Sequence, residues 1–96
     1  WVMLPAVPEP LSGAGAAIVD GQLITAGGEG VTTVSAKVQA LDLGSPTAIW
    51  NALPPLREGR HGLGVAAIGN TLYAIGGATR AGHTSSTRTV GALTFS

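Results

Sequence analysis

Short apolar runs of small and β-branched residues alternate with glycine-rich turn dipeptides along the whole chain, and no window holds a sustained 3.6-residue spacing. That pattern predicts strands throughout. Gly15 to Val19 runs into Asp20-Gly21, a dipeptide that accepts positive φ at both central positions of a type I′ hairpin, and Leu23 to Ala26 continues beyond it. Gly64 to Ile68 meets Gly69-Asn70 in the same way and resumes as Leu72 to Ile75. Each hairpin stops at a glycine pair, Gly27-Gly28 or Gly76-Gly77, where the backbone can enter conformations closed to other residues. A third strand is predicted over Val38 to Leu43. Gly44-Ser45-Pro46 ends it, and a fourth strand follows over Ala48 to Leu53, carrying Trp50.

The two hairpins are copies of one unit. Moving the chain by 49 residues lays Trp1, Leu4-Pro5, Glu9, Gly13 and Gly27-Gly28 on Trp50, Leu53-Pro54, Glu58, Gly62 and Gly76-Gly77, among 10 identities over the 28 positions from Trp1, with no gap. A period of roughly 50 residues is what stacked architectures with one supersecondary unit per repeat produce. The chain therefore reads as a single unit over 1–96, with repeat 1 at about 1–49 and repeat 2 at about 50–96. The third strand of the second repeat aligns at a shift of 52, pairing Val38, Ala40 and Leu41 with Val90, Ala92 and Leu93 and placing extra residues in the loop after Gly77.

Composition changes the picture in two ways. With 45% apolar residues, 10% charged residues and zero formal charge, the chain is neither a disordered tail nor a polyanion binder, so no nucleic-acid partner is expected. Globular domains carry about 25% charged residues, so this sparse charge predicts that much of the surface is buried against something. The absence of cysteine excludes disulfides and thiolate metal sites. No apolar run approaches the ~18 residues of a membrane span, no signal-like opening is present, and the chain is expected to be soluble.

Four short antiparallel strands per unit, with Gly27-Gly28 and Gly76-Gly77 after the second strand, Leu41-Asp42 on the third, Trp50 on the fourth, Leu4-Pro5 and Leu53-Pro54, and then Arg60, resemble the kelch repeat of β-propellers. The resemblance covers nearly the whole chain. It departs where Leu41 replaces the family's usual Tyr and where Trp50 stands farther along than usual. The implied fold is all-β, built of two four-stranded antiparallel blades. By the repeat, Trp1, Val2, Met3 and Leu4 correspond to Trp50 to Leu53, an outer strand, while the second repeat reaches Ser96 before a fourth strand of its own. The expected arrangement is strand exchange: the first strand of one copy completes the last blade of another. Propellers hold roughly four to eight blades, so three copies would close a six-bladed ring, a homotrimer with heterologous contacts.

Candidate functional residues come from loops, because blade strands are committed to packing. The loop entering the first strand and the loop joining the second and third strands share one face of a blade. In repeat 2 they carry Arg57, Glu58, Arg60, His61, Arg80 and His83. Guanidinium forks match carboxylates, so the basic members suit an anion or an acidic peptide. A structural reading stands beside this one: Arg57 and Glu58 are solvated, and Arg60 braces neighbouring loops, a role the resemblance also implies. Repeat 1 has Pro8, Leu11 and Ser12 at the places of Arg57, Arg60 and His61, so any basic site occurs once per chain. Glu9 and Glu58 are equivalent, which predicts a scaffolding role such as accepting backbone donors.

Catalytic and metal chemistry find little purchase. His61 and His83 are the only histidines, 22 residues apart, too few ligands for a metal site unless one His per copy gathers on a trimer axis. Gly62-Leu63-Gly64-Val65-Ala66-Ala67 fits a dinucleotide pattern, but no strand precedes it and no long helix follows. No Gly-x-Ser-x-Gly elbow occurs. The expected role is a noncatalytic, self-assembling scaffold that presents loops to a protein or peptide, without cofactor. The stretch Leu11-Ser12-Gly13-Ala14-Gly15-Ala16 also resembles the opening of bacterial kelch proteins that mutarotate sialic acid. That likeness would give Arg60 and Arg80 a sugar carboxylate to hold, with Glu58 or His61 moving a proton. A third reading is a design or evolutionary fragment whose only activity is assembly.

Overall fold

The computed structural model describes residues 1–82 and 85–95. Strands β1 (Gly15–Val19), β2 (Gln22–Ala26), β3 (Val38–Asp42) and β4 (Trp50–Leu53) form one antiparallel sheet in that order, and β5 (Gly64–Ile68), β6 (Thr71–Ile75) and β7 (Val90–Thr94) form a second. Each is an up-and-down meander in which every strand pairs with its neighbour in sequence.

Turn chemistry sets the registers. Asp20 and Gly21 have φ of 51° and 73°, the positive pair of a type I′ turn, and Val19 lies opposite Gln22. The second hairpin differs from the sequence expectation: only Gly69 is positive, at 58°, which is the sign pattern of a type II′ turn. The reason is order, since Gly here takes the first central position and Asn70 the second. The end of β3 is also local chemistry. Asp42 Oδ1 accepts the Gly44 N–H at 2.9 Å, and the Asp42 and Ser45 carbonyls accept N–H groups of Ser45 and Ala48, so β4 begins at Trp50 rather than at Ala48.

The sheets stack face to face. Alternation along the strands puts Val19, Ile24, Ala26, Val38 and Ala40 on one face of the first sheet, with Ala17 and Leu53 beside them. Against them pack Val65, Ala67, Leu72, Leu93 and Phe95 of the second sheet. Ile24 is fully buried at the centre, 0% exposed. β1 and β5 run close together, and a Cβ on Gly15 would overlap the Val65 side chain, so only glycine fits there. The opposite faces leave Ile18 on the first sheet and Ile68, Ile75 and Val90 on the second exposed, while Leu41, on the face of Ile18 and across from Trp50, is buried.

Candidate functional site

The segment from Pro54 to Leu63 crosses from β4 to β5 and carries four of the six candidate residues. Backbone hydrogen bonds stitch it to both sheets. Leu56 N–H donates to Ala36 O at 2.8 Å and Arg60 N–H to Ser35 O at 3.1 Å, while Gly28 N–H donates to Arg60 O at 2.8 Å. His61 and Ala78 exchange N–H···O bonds of 3.0 and 2.9 Å on the other side. Gly27 makes the first docking possible. Its φ is +72°, and a Cβ there would lie 2.3 Å from the Arg60 carbonyl oxygen.

Arg60 turns inward. It is 4% exposed, and its Nη1 donates to Gly76 O at 3.2 Å and Thr89 O at 3.0 Å, tying the glycine pair to the start of β7. Nε is buried with no acceptor. His61 is buried too, with Nδ1 3.3 Å from Glu29 Oε1 and Nε2 2.8 Å from Arg80 O. Whichever ring nitrogen carries the hydrogen, an acceptor faces it. Glu29 also accepts the Gly82 N–H at 3.4 Å through its other oxygen, so one carboxylate links the loop after β2 to the loop after β6.

The remaining candidates point outward. Arg57, Glu58 and Arg80 are exposed, and the Arg80 backbone is fixed by a 2.9 Å bond from its N–H to Ser85 Oγ. His83 lies outside the described residues. Trp1, Val2, Met3 and Leu4 are exposed and belong to no strand of this chain. Glu9 departs from the backbone-accepting role expected of it: it pairs with Lys37 Nζ, because the loop after β2 brings that ammonium alongside. Glu29 was absent from the sequence reading. It is not repeated, since its counterpart in repeat 2 is Ala78, and only folding brings it to His61 across 32 residues of chain.

Chemically the arrangement offers two exposed guanidinium groups, Arg57 and Arg80, beside a buried Arg60 and His61. Among the described residues no three His, Cys, Asp or Glu side chains gather as metal ligands. Both Arg60 and His61 are engaged by protein carbonyls, whereas Arg57 and Arg80 are exposed.

No protein-family model matches the chain. The chain is 33% identical over 85 residues to Kelch-like ECH-associated protein 1A of Danio rerio, a match covering 86% of this chain and 14% of that protein. The structure solved as YjhT superposes with a TM-score of 0.72 over 96% of this chain and 29% of that one, at 22% identity. The two sheets are kelch-type propeller blades. The chain spans a small part of each of these relatives, 14% and 29% of their lengths. In kelch terms β1 and β5 are the inner strands and β4 an outer one, and Arg60 braces the glycine pair of the blade it enters.

Proposed function

We propose that this chain is a noncatalytic kelch-type scaffold, residues 1–96 acting as one two-blade unit, whose loop face binds an acidic protein or peptide segment through Arg57 and Arg80. The observation that carries this is the division of labour among the candidates: Arg60 and His61 are spent on the frame, and the exposed guanidinium groups stand above it. Exposed guanidinium forks recognise carboxylates at little cost to the fold.

The same reading has copies closing a six-bladed ring as a trimer. Its support is the equivalence of faces. Shifted by 49, the buried face of the first blade, Ala17, Val19, Ile24 and Ala26, becomes Ala66, Ile68, Tyr73 and Ile75, the open face of the second blade. The open face of each end is thus the counterpart of one already used inside the chain, the condition for head-to-tail stacking.

Calorimetric titration with an Asp/Glu-rich peptide tests the binding reading. Affinity should fall at least tenfold in the Arg57→Ala/Arg80→Ala variant and decline with added salt; unchanged affinity in that variant would overturn it. The sialic-acid reading draws on the likeness at Leu11 to Ala16 and needs Arg60 to hold a sugar carboxylate. Its guanidinium is occupied by Gly76 O and Thr89 O, which favours the scaffold. Saturable sialic-acid binding abolished by Arg80→Ala would reverse that preference.

A further inference from the structure

The β1–β2 hairpin turns on Asp20-Gly21, the one place in the chain where Asp or Asn directly precedes glycine. Both residues are exposed, and nothing lies within 4 Å of a Cβ built on Gly21. Among the described residues no backbone acceptor takes the Gly21 N–H, so this nitrogen gives up no main-chain hydrogen bond if it reacts. Asp20 is also the only non-glycine residue with positive φ among the described residues, at 51°, a conformation that crowds its Cβ against the following carbonyl oxygen. Leaving that conformation relieves the crowding.

We propose that Asp20 is a site of spontaneous isoaspartate formation in the folded chain, and that the product is a substrate for an enzyme that methylates isoaspartyl carboxylates from S-adenosylmethionine. The Gly21 nitrogen attacks Cγ of the protonated Asp20 carboxyl. The N–Cγ bond forms, the Cγ–OH bond breaks, and the amide proton leaves with that hydroxyl as water, giving a succinimide. Water then adds back: opening at Cγ restores Asp20, and opening at the main-chain carbonyl leaves the chain running through Cγ with the α-carboxylate free. The sum is an isomerisation that consumes nothing. In the methylation, an oxygen of that carboxylate displaces the methyl group from the sulfonium, which departs as the neutral thioether.

The second hairpin supplies the contrast. Its turn is Gly69-Asn70, with glycine first, so the nitrogen beside the amide side chain belongs to Thr71, a β-branched residue that begins β6 and hinders attack. Turns at equivalent positions of the two repeats therefore differ in this chemistry through residue order alone. The consequence for the first blade follows from its register. An isoaspartyl link adds a methylene to the main chain of a two-residue turn whose ends, Val19 and Gln22, face each other. Gly21 O accepts the Leu43 N–H at 3.1 Å, so the added length disturbs β2 against β3 as well as β1. The buried Ile24 lies on that same strand.

Ageing the folded protein at neutral pH and assaying it with an isoaspartyl methyltransferase and labelled S-adenosylmethionine tests the proposal. Wild type should gain methyl-accepting sites steadily, with electron-transfer fragmentation locating them at Asp20. Asp20→Asn, which suits the same turn, should gain them several-fold faster because ammonia leaves more readily than water. Asp20→Gly/Gly21→Asn copies the residue order of the second hairpin, a turn this fold already uses, and should stay at background. In the modified fraction the Leu43 amide should exchange several-fold faster than in fresh protein. Methyl acceptance that appears only in urea-unfolded wild type would mean that the hairpin protects the dipeptide, and the proposal would fall. Equal acceptance by wild type and the swapped variant would put the reaction elsewhere in the chain and overturn it too.

Discussion

Replacing Arg60 by Met keeps most of the apolar stem and removes the guanidinium from its two carbonyls. Each hydrogen bond from a charged donor contributes about 1.5–3 kcal/mol, so the bonds to Gly76 O and Thr89 O are worth roughly 3–6 kcal/mol together. Part of this is returned. Nε is buried without an acceptor, and burying an unmatched polar group costs about 1–3 kcal/mol, which Met would not incur. The net loss should be about 3 kcal/mol, a large share of the ~5–15 kcal/mol that stabilises an ordinary domain. With a urea slope of roughly 1.5 kcal/mol per molar, the unfolding midpoint should fall by about 2 M at fixed protein concentration. Urea melts of wild type and Arg60→Met followed by circular dichroism make the measurement. A midpoint change below ~0.3 M, together with lost binding of the acidic peptide, would mean that Arg60 serves a ligand rather than the frame, and the reasoning would fail.

Gly27→Ala introduces a Cβ 2.3 Å from the Arg60 carbonyl at a φ of +72°, and should destabilise by about 2 kcal/mol or more, read as a drop in melting temperature of roughly 10 °C. The same substitution at Gly21, where nothing lies within 4 Å, should cost distinctly less. His61→Ala removes the side-chain contacts to Glu29 and Arg80, so amide exchange in the loop after β6 should quicken several-fold while the centre of β6 stays protected; equal exchange in both proteins would show the latch to be idle.

The arrangement shows how a chain with so little charge fixes its loops. Backbone carbonyls hold the buried Arg60 guanidinium, Glu29 Oε1 and Arg80 O flank the buried His61 ring, and the crossing segment that carries them is fixed to both blades by main-chain bonds. Arg57 and Arg80 stay exposed at the surface.

Strand positions, the two hairpin turns, the glycine pairs and the duplicated unit were legible in the sequence, because period-two alternation and turn residues act over a few positions and the repeat doubles every signal. Tertiary structure alone decided which charges are surface and which are frame. Arg57 and Arg60 look alike in sequence, yet one is solvated and the other lies against Gly76 O and Thr89 O, because the direction of each side chain depends on how the crossing segment docks on two sheets at once. The meeting of Glu29 with His61 was out of reach for the same reason. It joins loops of different blades, is not copied by the repeat, and exists only once Ile24 and Leu72 have packed the sheets together.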